Sequence, residues 1–262
     1  MTDTSLFFNE LAEMLGADGD QFVIGHPFSC EDIKTNRRQA QEQLVATALP
    51  LVNIKKGTDF KSDGLASICW TAQCNGREVQ CVSALDTTSS VPRFSLFFRP
   101  FSVANKWREM VKSRYQSTVL NELSWELPVG TDTALYGIDS GTPLDSAFPF
   151  NINPAVVFES PVLTKPVSGI SKVDEVVKHA AAVYGQRHYG PHVISPPNLL
   201  SFWEVSVSGV KIEVANMLTM NDNREVVHMR MCMRPWPAVR LFHDRIQHIS
   251  EKLTDNSFLE FT

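Results

Sequence analysis

The chain has 262 residues, 43% of them hydrophobic and 20% charged, with a net charge of −5. This is the make-up of an ordinary globular protein large enough for two average domains, and its acidic balance argues against nucleic acid, whose binding relies on clustered Lys and Arg. No apolar run reaches the length of a membrane span, and Asp3 stands where a signal peptide would carry a base, so a cytoplasmic protein without membrane or nucleic-acid partners is expected.

A short helical region, little more than Leu6 to Leu15, leads into a strand around Phe22 to Ser29. Ser29, Asp32 and Pro50 then predict a helix from about Glu31 to Ala48. The stretch from Asn53 to Asp63, with its Lys55-Lys56-Gly57-Thr58-Asp59, has the composition of a solvated loop. Three alternating runs follow, and the last ends at Phe98-Arg99-Pro100-Phe101, where a helix begins.

The second half opens with Phe158-Glu159-Ser160-Pro161-Val162. Ile170, Val173, Val176, Val177, Ala180, Ala181 and Tyr184 recur at three and four, a helical stripe for which Ser171 and Asp174 predict a capping box and Gly185 a stop. Tyr184 to His192 follows as a loop rich in titratable and aromatic side chains. The runs Ser201 to Val207, Lys211 to Leu218 and Val226 to Arg234, joined by short turns, predict an antiparallel meander. Arg234-Pro235-Trp236-Pro237 then opens a closing helix striped with Val239, Phe242, Ile246, Ile249 and Leu253.

The two Arg-Pro-aromatic passages indicate that one unit occurs twice. A shift of 133 to 135 residues pairs Trp70 with Trp203, Gly76 with Gly209 and Leu85 with Leu218; a shift of 139 lays Phe22 on Pro161 and Asp20 on Glu159, with six extra residues expected in the first copy. A strand, a helix and a long meander, repeated, predict an α+β fold of two tandem units with curved antiparallel sheets facing each other as a pseudo-dimer. The boundaries are 1–125 for a degenerate first copy and 126–262 for the second. Five cysteines without C-x-x-C spacing read as core thiols, and no metal site or cofactor is expected.

The duplicated pattern, Phe158-Glu159-Ser160-Pro161-Val162 with Pro166 and Gly169, and the strand-ending Arg234-Pro235 resemble the SnoaL-like branch of the nuclear transport factor 2-like superfamily. The resemblance implies cone-shaped domains holding a pocket for a small hydrophobic molecule. It spans several chemistries, among them isomerases, polyketide cyclases, epoxide hydrolases and non-catalytic members, and so implies no single reaction. Relatives of this kind commonly carry an acid on the strand position occupied here by Asn216 and, in the first copy, by Ser83.

Alternation on the last strand puts Met229, Met231 and Met233 on one face, and on the strand before it Asn216 is the polar intruder on the apolar face. The expected catalytic set is Asn216 to orient a carbonyl, with Glu159 or His192 to move a proton; Tyr184, His188, Tyr189, Trp203, Met229 and Met231 are the expected ligand-binding set. Glu204, Glu213, His228 and Arg230 share the other face as cross-strand ion pairs. The expected activity is a cofactor-independent isomerisation, cyclisation or hydration of a hydrophobic biosynthetic intermediate. The rival from a different class is a non-catalytic ligand-binding or protein-assembly module, and pairing into a homo-oligomer is compatible with both.

Overall fold

A computed structural model of the chain describes residues 9, 10, 13, 21–114, 123–135, 151–163, 165–184 and 186–250. Of the expected features, Asp20, Gly185, Leu253 and most of the leading helical region lie outside these residues. The strands of the first half are β1 (Gln21–Gly25), β2 (Ile33–Asn36), β3 (Leu51–Ser62), β4 (Leu65–Cys74), β5 (Arg77–Asp86) and β6 (Arg93–Arg99), with helices α1 (Arg37–Ala48) and α2 (Phe101–Arg114). Those of the second half are β7 (Ile152–Glu159), β8 (Val167–Ser168), β9 (His188–Ser195), β10 (Asn198–Val207), β11 (Val210–Met220) and β12 (Val226–Arg234), with α3 (Ile170–Ala181) and α4 (Trp236–Ser250).

Local chemistry explains where these elements depart from expectation. Helix α1 starts at Arg37, because Asn36 accepts a hydrogen bond from the Gln39 backbone at 2.9 Å while the Gln39 side chain accepts from the Asn36 backbone. Ser29 instead closes a turn on Glu31, Asp32 is drawn into ion pairs with Arg93 and Arg234, and Ile33 to Asn36 extend as β2. The capping box expected at Ser171 and Asp174 does not form: Gly169 caps α3 without a side-chain hydrogen bond, and Asp174 pairs with Lys178 one turn on. The lysine-rich stretch expected as a loop is the edge strand β3, whose exposed charges suit an edge that must not recruit further strands. The Tyr184 to His192 stretch likewise runs into edge strand β9.

The strands form one sheet in the order β3-β4-β5-β6-β12-β11-β10-β9, with β1 parallel to β6 and β7 parallel to β12. The predicted three-run meander of the second half is β10, β11 and β12. Register relates the halves residue by residue. Lys55 lies opposite Thr71 and Lys56 opposite Trp70, just as His188 lies opposite Glu204 and Tyr189 opposite Trp203, an offset of 133. Both edge strands then slip register at a glycine, Gly57 or Gly190, where a Cβ would come within 3.0 or 3.2 Å of the neighbouring strand's carbonyl. The same offset holds for the twelve-residue helices α1 and α3, so the first half carries no six-residue insertion. Parallel pairing sets Gly25 against Ser95 and Glu159 against Arg230, which puts Gly25, and not Asp20, in the position of Glu159.

The halves meet at β6 and β12, where Phe98 faces Met233. Reciprocal hydrogen bonds run from Phe101 N to Pro161 O at 2.8 Å and from Trp236 N to Pro27 O at 2.7 Å. A main core lies between the sheet and the helices, and a second cluster joins both halves, with Leu65, Val82 and Phe97 packed with Leu200, Ala215 and Cys232. All five cysteines are free, and burial pushes Cys69 and Cys232 up to about 12. Among the described residues no helix is long and apolar enough to cross a membrane.

Candidate functional site

A cavity of about 460 Å³ opens in the second half between β10, β11 and β12 of the sheet and helices α3 and α4. Alternation along β11 and β12 supplies its sheet wall with Leu218, Met231 and Met233, while the helical stripes supply Val176, Val177, Phe242 and Ile246. Asn216 and its cross-strand neighbour Ser201 are polar side chains on this largely apolar sheet wall, and Asn216 is the one left incompletely bonded. It is 6% exposed, and its Oδ1 has no hydrogen-bond partner among the described residues. Leaving such a group unpaired costs about 1–3 kcal/mol, which an aliphatic side chain would avoid.

His179, on α3, also lines the cavity and leaves Nδ1 buried and without a partner. Burial pushes its imidazole below the usual range against the opposing charge of Glu175. On its more exposed side stand Arg187, Tyr189 and His192, next to the buried Tyr184. Arg187 donates to the Tyr184 hydroxyl at 2.8 Å and lies over the rings of Tyr184 and Trp203, 5.5 and 5.6 Å from their centroids. No carboxylate lines the cavity among the described residues.

The matching space in the first half is occupied by side chains. Phe28 stands where the second half has Val162, His26 where it has Ser160, and Thr47 where it has Ala180. The Phe28 ring packs edge-on to Trp107 at 5.0 Å and stacks on Trp125 at 6.2 Å. His26 is fully buried against Thr47 Oγ1 at 2.7 Å, with its pKa pushed down to about 3 by burial and then by Arg234. Ser83, the counterpart of Asn216, accepts from Trp70 Nε1 at 2.9 Å. At these three positions the second half carries the smaller side chains, and among the described residues the space beside them is open.

Of the residues expected from sequence, Asn216, His192, Tyr184, Tyr189, Trp203 and Met231 line this one cavity. Three do not. Met229 is core, 1% exposed, and Met233 takes its place on the wall. His188 faces a separate groove of about 300 Å³ between the halves, with Arg93 and Glu213. Glu159 accepts from Arg230 Nε at 2.7 Å, is 3.0 Å from His228 Nε2 and pairs with Arg99 of the first half at 3.1 Å. Burial alone would raise its carboxyl, but the hydrogen bond from His228 and the charges of Arg99 and Arg230 outweigh this and hold it at about 2. A carboxylate so held is a poor proton acceptor near neutral pH.

The expected four-residue ion-pair face divides in two: His228 and Arg230 serve Glu159, while Glu213 pairs with Arg93, Lys211 and Arg234, and Glu204 pairs with Lys211. Sequence reasoning missed His179, Arg187 and Ser160 in the cavity wall. His179 was accessible to it, since it stands three residues after Val176 beside the apolar stripe.

No protein-family model and no curated protein matches the chain. Solved structures to which it is similar include a steroid delta-isomerase from Pseudomonas aeruginosa, at 18% identity over 37% of this chain and 72% of that one, with a TM-score of 0.35. An uncharacterized protein with a cystatin-like fold from Silicibacter pomeroyi gives 20% identity, 42% and 77% coverage, and a TM-score of 0.37. An NTF-2 like protein of unknown function from Burkholderia xenovorans gives 10%, 32%, 65% and 0.30. The fold itself is α+β, with a large antiparallel sheet and helices packed on it.

Proposed function

We propose that this protein binds one small, largely apolar molecule in the cavity of its second half. The observation that carries this reading is Asn216 Oδ1, without a partner among the described residues on a largely apolar wall: the buried amide costs stability and is best explained by a ligand group that completes its hydrogen bonding. We read the chain as two tandem units, 1–125 and 126–262, with the first serving as support and the second as receptor. The repeated element order and the common register offset support that division.

A catalytic extension of the same site is favoured by one further observation, the His179 imidazole in the cavity wall, whose buried Nδ1 has no partner among the described residues. In an isomerisation, cyclisation or hydration, His179 or His192 would accept the proton and Asn216 would hold the developing oxyanion. Glu159 has no part in this scheme, because its carboxylate belongs to the Arg99, His228 and Arg230 cluster.

The test is titration of the full chain with N-phenyl-1-naphthylamine, a neutral probe that fluoresces in apolar surroundings. Saturable binding of one probe per chain is expected. A flat titration, with the protein folded by circular dichroism, would overturn the reading.

A further inference from the structure

We propose that the natural occupant of the cavity is an organic monoanion, an apolar carboxylic acid whose carboxylate pairs with Arg187 at the mouth while its apolar body extends toward Asn216. This rests on the reading of the cavity as a ligand site and adds the chemical class of the ligand.

The first argument is charge. Among the described residues, the ionisable side chains that line the cavity are His179, Tyr184, Arg187, Tyr189 and His192, with no carboxylate among them. Arg187 is cationic at any accessible pH. Among the described residues its hydrogen-bonding partners are the phenols of Tyr184 and Tyr189, and neither group neutralises it. A guanidinium set over two aromatic rings and half withdrawn from water is pre-oriented, and a planar carboxylate matches its fork of donors.

The second argument comes from the other half of the chain. The offset of 133 residues is the same on both sides of this segment, at the ends of α1 and α3 and at the pairs Lys55 with Thr71 and His188 with Glu204. It places Leu51 at the position of Tyr184, Ile54 at that of Arg187 and Ala46 at that of His179. Leu51 is buried and Ile54 packs against the core. The fold therefore builds this corner with aliphatic side chains where rings fill the space, and with an arginine and a tyrosine where the space is open. The arginine and the tyrosine thus occur only in the half that keeps the cavity.

Competition against bound N-phenyl-1-naphthylamine by octanoate and by octanamide tests the proposal, since the two have the same chain and nearly the same head shape and differ in charge. Octanoate is expected to displace the probe at a concentration about tenfold lower than octanamide. Arg187→Met should erase that preference while the probe still binds, and Arg187→Lys should keep part of it. Equal potency of the two competitors, or a preference that survives in Arg187→Met, would overturn the anion proposal and leave the cavity reading standing. Failure of the neutral probe to bind the wild-type chain would overturn the cavity reading itself.

Discussion

Two residues carry opposite kinds of burial. Asn216 buries its Oδ1 without a partner among the described residues, so Asn216→Leu should raise the unfolding free energy by about 1–2 kcal/mol in urea while weakening ligands that offer a polar group. A loss of stability would instead mark the amide as structural. Glu159 is buried with partners on every side, and Glu159→Gln should cost about 3 kcal/mol at pH 7 by leaving Arg99 and Arg230 uncompensated.

The pH dependence follows from the same geometry. Burial works against the charged form of both Glu159 and Glu213, but their cationic partners win and hold each at about 2 against an ordinary 4.5. A carboxyl depressed by folding contributes stability in full above its ordinary value and loses it as pH falls toward the depressed one. Unfolding free energy should therefore drop between pH 5 and pH 2, and the drop should be shallower in Glu159→Gln. Identical slopes in the two proteins would show that the cluster contributes nothing.

At the scale of elements, caps and edges decided what the sequence disclosed. The helical stripe of α3 was legible because Val173, Val176 and Val177 face one core. The start of α1 was not, because several cap-forming residues precede it and only tertiary contacts draw Asp32 away to Arg93 and Arg234. Asn36→Ala should accordingly lower the melting stability by about 1 kcal/mol, and Ser171→Ala should leave it unchanged, since only the first residue caps a helix. The edge strands β3 and β9 were read as loops because their charges and glycines mimic one; their pairing with β4 and β10 depends on partners far along the chain. Alternation, a local property, did place Asn216 and Met231 on the cavity wall. It could not separate Met231 from Met229, which share a strand face but differ in depth, nor foresee that Glu159 would be claimed by Arg99 from the other half.

Across the whole molecule, two halves of like register differ in the side chains that fill their interiors. The first half fills its interior with Phe28, Trp107, Trp125 and the His26–Thr47 pair, and the second half, with Val162, Ser160 and Ala180, keeps a hollow lined by groups that lack partners. The shared cluster of Leu65, Val82 and Phe97 with Leu200, Ala215 and Cys232 holds the halves together, so filling one cavity need not disturb the other half. Val162→Phe, which gives the second half the ring its counterpart carries at Phe28, is the most direct test. The variant should keep the wild-type circular dichroism and melt at or above the wild-type temperature, with binding of N-phenyl-1-naphthylamine abolished. A Val162→Phe protein that is folded and still binds the probe with wild-type affinity would contradict the assignment of this cavity as the ligand site.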